Sequence, residues 1–111
     1  MRVVGGVAGG IPLHVPRQSG DGLRPTMDMV KNAIFNVLGE SVEGTRVLDL
    51  FAGIGGLGLE ALSRGAKSCV FVESDRRACE SIRRNLEKTR LAGGEVIQMD
   101  ALRWLGRSVA P

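Results

Sequence analysis

The sequence predicts an α/β fold in which a parallel sheet follows an amino-terminal β-hairpin and helix. From residue 45 onward, short strand-like runs alternate with helical patterns, the rhythm of a parallel sheet with crossover helices. A glycine-rich turn joins the first of those strands to its helix. The 111 residues suit one domain, and the alternation reaches a third strand before it stops. Two segments are expected: residues 1–44 as a hairpin-and-helix extension, and residues 45–111 as the first half of the α/β unit, truncated after strand three.

Each element has its own local signal. Residues 2–7 and 11–15 are rich in Val, Ile and Leu and flank Ala8-Gly9-Gly10, which reads as a hairpin. Residues 16–25 contain Pro16, Gly20, Gly22 and Pro25 and read as a loop. Thr26 can cap a helix in which Val30, Ala33, Ile34, Val37 and Leu38 recur at helical spacing until Gly39. Residues 46–51 form the first strand, and a helix over 57–64 is closed by Gly65. The second strand is 68–73, followed by a helix capped by Asp75 with Ala78, Cys79, Ile82 and Leu86 on its inner face. Gly93-Gly94 turns the chain into a third strand, 95–99, after which Asp100 opens a helical segment containing Trp104.

Composition is that of an ordinary soluble globular chain, 43% hydrophobic and 24% charged. The formal charge of +3 permits an acidic partner such as RNA but does not require one. The excess gathers around Arg76, Arg77, Arg83, Arg84, Lys88 and Arg90, a run that also reads as the solvated face of an amphipathic helix. Cys69 and Cys79 form no metal-ligand spacing and sit in apolar patterns, so buried reduced thiols are expected and no metal site is. Glycines 5, 6, 9 and 10 interrupt the start of the chain, so neither a signal peptide nor a membrane span is expected, and a cytoplasmic location follows.

Gly53, Gly55 and Gly58 fit G-x-G-x-x-G after a strand and at the opening of a helix. Glycine admits a sharp turn and a close ligand, and the helix start offers N–H donors. Glu73, twenty residues after Gly53 at the end of the next strand, can accept both hydroxyls of a ribose. A tight turn with no ligand is the alternative. Asp49, four residues before Gly53, would repel a pyrophosphate but attract the ammonium group of S-adenosylmethionine, unless it serves as a loop cap. Asp100 can accept from an adenine amino group or cap the helix that follows it.

The stretch Val47-Leu48-Asp49-Leu50-Phe51-Ala52-Gly53-Ile54-Gly55-Gly56-Leu57-Gly58-Leu59-Glu60-Ala61-Leu62-Ser63-Arg64-Gly65-Ala66 resembles the first motif of the RsmD family of 16S rRNA guanine-N2 methyltransferases. The run Leu23-Arg24-Pro25-Thr26-Met27-Asp28-Met29-Val30-Lys31-Asn32-Ala33-Ile34-Phe35-Asn36-Val37-Leu38 is similar to that family's amino-terminal helix, as is the opening Met1-Arg2-Val3-Val4-Gly5-Gly6. The resemblance implies a Rossmann-like S-adenosylmethionine-dependent methyltransferase fold, S-adenosyl-L-methionine as cofactor, and 16S rRNA or the small-subunit particle as partner. By the same resemblance Asp49, Gly53 and Gly55 hold the methionine part of the cofactor, with Phe51 beside them. Glu73 holds the ribose, with Ser74 next to it, and Asp100 with Ala101 holds the adenine. Arg24 and Thr26 bring the amino-terminal helix to the cofactor or the target base, Arg24 being the substrate-binding candidate.

Two departures matter. The family's opening hairpin is rich in Arg and Lys, whereas here it reads Val7-Ala8-Gly9-Gly10-Ile11-Pro12-Leu13. The family's catalytic Asn/Asp-Pro-Pro-Tyr/Phe motif follows a fourth strand, and no proline of this sequence belongs to such a motif, so no catalytic residue is assigned. The isolated chain is therefore expected to be inactive, with an apolar strand-one edge open to self-association. The rival readings are a dinucleotide-dependent oxidoreductase, opposed by Asp49, and an inactive relative that binds cofactor weakly or not at all.

Overall fold

In a computed structural model, residues 1–16 and 24–109 are described, with the backbone alone for residues 24–27, 108 and 109. The expected loop over 16–25 lies mostly outside them. The strands β1 (Arg46–Asp49), β2 (Ser68–Glu73) and β3 (Gly94–Gln98) form a parallel sheet in the order β1-β2-β3. Leu48 registers with Val70, and Phe71 with Val96. Parallel neighbours require crossovers, and α2 (Gly56–Ser63) and α3 (Arg76–Thr89) supply them. The helix α2 packs on β1 and β2, α3 packs on β2 and β3, and α4 (Ala101–Val109) touches β2.

The predicted caps account for several boundaries. Asp75 accepts from the Arg77 N–H at 3.3 Å and starts α3. Gly65 follows α2 with φ of 105°, a left-handed value that suits glycine at a helix end. The inner face of α3 contains the expected Ala78, Cys79 and Ile82, with Leu86 half-buried. It also buries Ser81, Asn85 and Thr89.

Two expectations change in the amino-terminal part. The helix α1 already includes Arg24 and runs Arg24–Leu38, so Thr26 lies inside its first turn and is not the N-cap. Pro25 fits there because the first helical turn needs no N–H from it. Among its described side chains α1 buries Lys31 and Phe35, whereas the apolar set at helical spacing is largely exposed, Val37 reaching 87%. Ile34 and Leu38 instead line an open apolar groove of about 420 Å³ bordered by Val47, Leu48 and Asp49 of β1 and by Leu57 of α2. A 3₁₀ turn, Gly39–Val42, ends the helix.

The hairpin is reduced to a single antiparallel bridge, Arg2 with Pro12, extended by Val3 N–H to Ile11 O at 3.0 Å and Leu13 N–H to Met1 O at 2.8 Å. It is held down by side chains of α2. Fully buried Glu60 accepts from the Val4 and Gly5 N–H groups, both at 2.8 Å, and from Arg64 Nε at 2.8 Å. Buried Lys31 donates to Arg2 O at 2.7 Å and lies 3.7 Å from Glu60. Burial lowers the Lys31 pKa, opposed by the Glu60 charge. Ser63 accepts from Ala8 N–H at 2.9 Å and donates to Gly5 O at 2.6 Å. Val3, Leu13 and Phe35 share one hydrophobic cluster with Leu59, Phe71 and Ile82, so both expected segments contribute to the same core.

Candidate functional site

The site lies where the three parallel strands end and their helices begin, the end of an open α/β sheet at which ligands bind. Gly53 and Gly55 have φ of 57° and 91°, which lets the chain reverse between β1 and α2. A Cβ on Gly53 would meet nothing within 4 Å, so the turn presents open space rather than packed protein. Gly58 does the opposite. A Cβ there would stand 2.3 Å from a Phe71 ring carbon and 2.7 Å from Cys69 Sγ, so its absence lets α2 lie directly on β2.

Two carboxylates frame the turn. Glu73 Oε1 accepts from the Gly53 N–H at 2.7 Å, and Oε2 accepts from the Asp75 N–H at 2.9 Å. It thereby ties the glycine turn to the start of α3, and each oxygen keeps a second lone pair. Asp49, at the end of β1, accepts from the backbone N–H groups of Gly58 and Phe51. Burial pushes its pKa above the ordinary carboxylate value, those N–H bonds pull it back, and the nearby Glu73 charge raises it further. Asp49 is thus a partly desolvated carboxylate that meets backbone N–H groups and stands beside a second acid.

The other expected site residues differ in placement. Phe51 is 82% exposed and Ser74 is exposed, both at strand ends. Asp100 is exposed, and its Oδ2 accepts from the Arg103 N–H at 3.2 Å, so it caps α4. Ala101 is buried at the first position of that helix. Arg24 and Thr26 lie in α1, and their side chains are outside the described residues. Both cysteines are buried free thiols, with burial and then the Asp49 charge pushing Cys69 up to about 12.

Sequence reasoning missed Asn85. Its side chain is fully buried on α3, donating to Ile54 O in the glycine turn at 3.2 Å and to His14 O at 3.1 Å. It also accepts from the His14 N–H at 2.6 Å, while His14 Nδ1 lies 3.1 Å from Ser81 Oγ. One amide therefore joins the amino-terminal segment to the glycine turn. The signal was present as a polar residue between Ile82 and Leu86 on an apolar face.

The family model described as Conserved hypothetical protein 95 matches residues 1–110. The YlbH protein of Bacillus subtilis strain 168 is 45% identical over 106 residues, which are 95% of this chain and 56% of that protein. Ribosomal RNA small subunit methyltransferase D of Escherichia coli strain K12 is 37% identical over 111 residues, 100% of this chain and 55% of its own length. Among solved structures, the yhhF protein of Escherichia coli matches with a TM-score of 0.84 and 34% identity, covering 95% of this chain and 55% of that one. The chain spans about half the length of these relatives.

Proposed function

Because this chain belongs to the Conserved hypothetical protein 95 family, which takes in ribosomal RNA small subunit methyltransferase D, we propose that it is the cofactor-binding half of an S-adenosylmethionine-dependent methyltransferase. The proposed substrate is the exocyclic N2 of a guanine in 16S rRNA, free or in the small-subunit particle, which sets the work in the cytoplasm. The observation that carries the cofactor assignment is the pair of carboxylates around an open glycine turn, Asp49 desolvated and Glu73 bonded to the Gly53 N–H.

The residues fit this cofactor better than a dinucleotide. Asp49 favours a cationic ammonium and disfavours a pyrophosphate, and Glu73 retains lone pairs for ribose hydroxyls. Gly53 and Gly55 leave room for the methionine part, with Phe51 and Ser74 at the rim. Ala101, at the head of α4, belongs to the adenine side of the same proposal, beside Asp100, whose Oδ1 has no partner among the described residues. Arg24 and Thr26 belong to the same proposal as contacts made from α1. When bound, S-adenosylmethionine supplies an electrophilic methyl group on a sulfonium. A guanine amino group is a weak nucleophile whose lone pair is shared with the ring, so the base must be oriented and desolvated for attack. No residue of this sequence matches the Pro-Pro motif that the resemblance assigns to that task.

Calorimetry with S-adenosylmethionine, its demethylated product and NAD tests the cofactor assignment, and tighter binding of NAD would overturn it. In parallel, the 111-residue chain should incorporate no labelled methyl into unmodified small-subunit RNA. Robust transfer by this chain would mean that residues present here orient the base.

A further inference from the structure

The charges of α3 divide into two stripes. Arg76, Glu80, Arg83, Glu87 and Arg90 follow one another at helical spacing and alternate in sign, and Arg76 Nε pairs with Glu80 Oε1 at 3.3 Å. The neighbouring stripe carries Arg77, Arg84 and Lys88 around Ser81, with no acid among them. That second stripe borders the amino-terminal segment, where His14 meets Ser81, and Arg77 and Arg84 line a cleft of about 360 Å³ with these two residues, Pro16 and Glu80. Among the described residues that line the cleft, Glu80 is the one acid, and it pairs with Arg76 on the outer stripe.

Resting on the reading that this family member acts on RNA, we propose that the Arg77–Arg84–Lys88 flank of α3, with His14 beside it, holds the phosphate backbone of that RNA. The flank starts at the rim of the cofactor site, because Arg77 lies two residues beyond Asp75, whose N–H is bonded to Glu73. At about 1.5 Å per helical residue it extends roughly 16 Å to Lys88, enough to follow more than one phosphate of a strand whose base enters the site. No side chain from residue 3 to residue 13 is charged, so the amino-terminal segment brings no cation of its own to a nucleic acid over that span. A row of positive charge with no acid in the row itself carries a net field toward phosphate, whereas an alternating stripe largely cancels its own.

The test compares two double variants of equal charge in the 111-residue chain. Arg84→Ala with Lys88→Ala strips the uniform stripe. Arg83→Ala with Arg90→Gly strips the alternating one, glycine being suited to the Arg90 φ of 58°. Binding of a fluorescently labelled small-subunit rRNA fragment is followed across a salt series. The first variant should bind roughly tenfold more weakly and flatten the log–log salt slope by about 1.4, the loss of two single-strand phosphate contacts. The second should stay within about twofold. Equal losses in both variants would reduce the effect to net charge and overturn the inference, as would undiminished binding by the first. Calorimetry with S-adenosylmethionine separates the two readings. A chain that binds no cofactor yet shows the stripe-specific loss would refute the enzyme assignment and leave the RNA surface standing.

Discussion

Asp49 shows how one side chain can be read for both structure and chemistry. Its folded-state pKa lies above the ordinary carboxylate value, chiefly through burial, so the fold favours the protonated form. That contribution to stability is present at low pH and is lost as pH rises through the raised pKa. A cationic ligand reverses the preference, since it favours ionised Asp49. Cofactor affinity should therefore fall as pH drops through that raised value, and binding there should release protons. Calorimetry in buffers of different ionisation enthalpy measures the release, and Asp49→Asn should abolish it; proton uptake would contradict the assignment. Glu73→Ala should cost about 1.5–3 kcal/mol of cofactor affinity, roughly ten- to a hundredfold. Because Glu73 also binds the Gly53 and Asp75 N–H groups, thermal unfolding must be measured alongside, and unchanged affinity in a folded variant would assign it to the loop alone.

At the level of elements, the sequence was most informative where local chemistry decides the outcome. The Asp75 cap, the turn through Gly53 and Gly55, and the apolar face of α3 all follow from rules that act within a few residues. It was least informative where a distant partner decides. Lysine is rarely buried, so nothing local marked Lys31, which is sheltered only because Glu60 and Arg2 O come to meet it. Glu60 stood in the quoted motif, but its two bonds to the opening segment join residues more than fifty positions apart. The apolar stripe of α1 was legible as a stripe, but its cover was not: Ile34 and Leu38 face the groove beside β1, and Val37 is exposed. The third motif glycine makes a sharp prediction at this scale. Gly58→Ala should force α2 away from Phe71 and Cys69, costing about 1–3 kcal/mol and lowering the melting temperature by roughly 5–15 °C. A melting temperature unchanged in differential scanning calorimetry would show that the interface yields without cost.

Across the whole molecule, the opening segment is fastened at three places. Glu60 and Ser63 hold it on α2, Lys31 joins it to α1, and Asn85 fastens residue 14 to α3. The same Asn85 holds Ile54 in the glycine turn, so the two regions share a fastener although forty residues separate them. This shared amide has a consequence for deuterium exchange. The His14 amide is protected by its bond to Asn85, and it exchanges when that side chain lets go. A cofactor that orders the turn around Ile54 should hold Asn85 in place and slow exchange at His14, a position outside the proposed cofactor contacts. Mass action limits the slowing to about a hundredfold when ligand stands at a hundred times its Kd. Exchange at His14 that ignores saturating S-adenosylmethionine would mean that the turn and the opening segment move independently; slowing would make this backbone amide a remote reporter of cofactor occupancy.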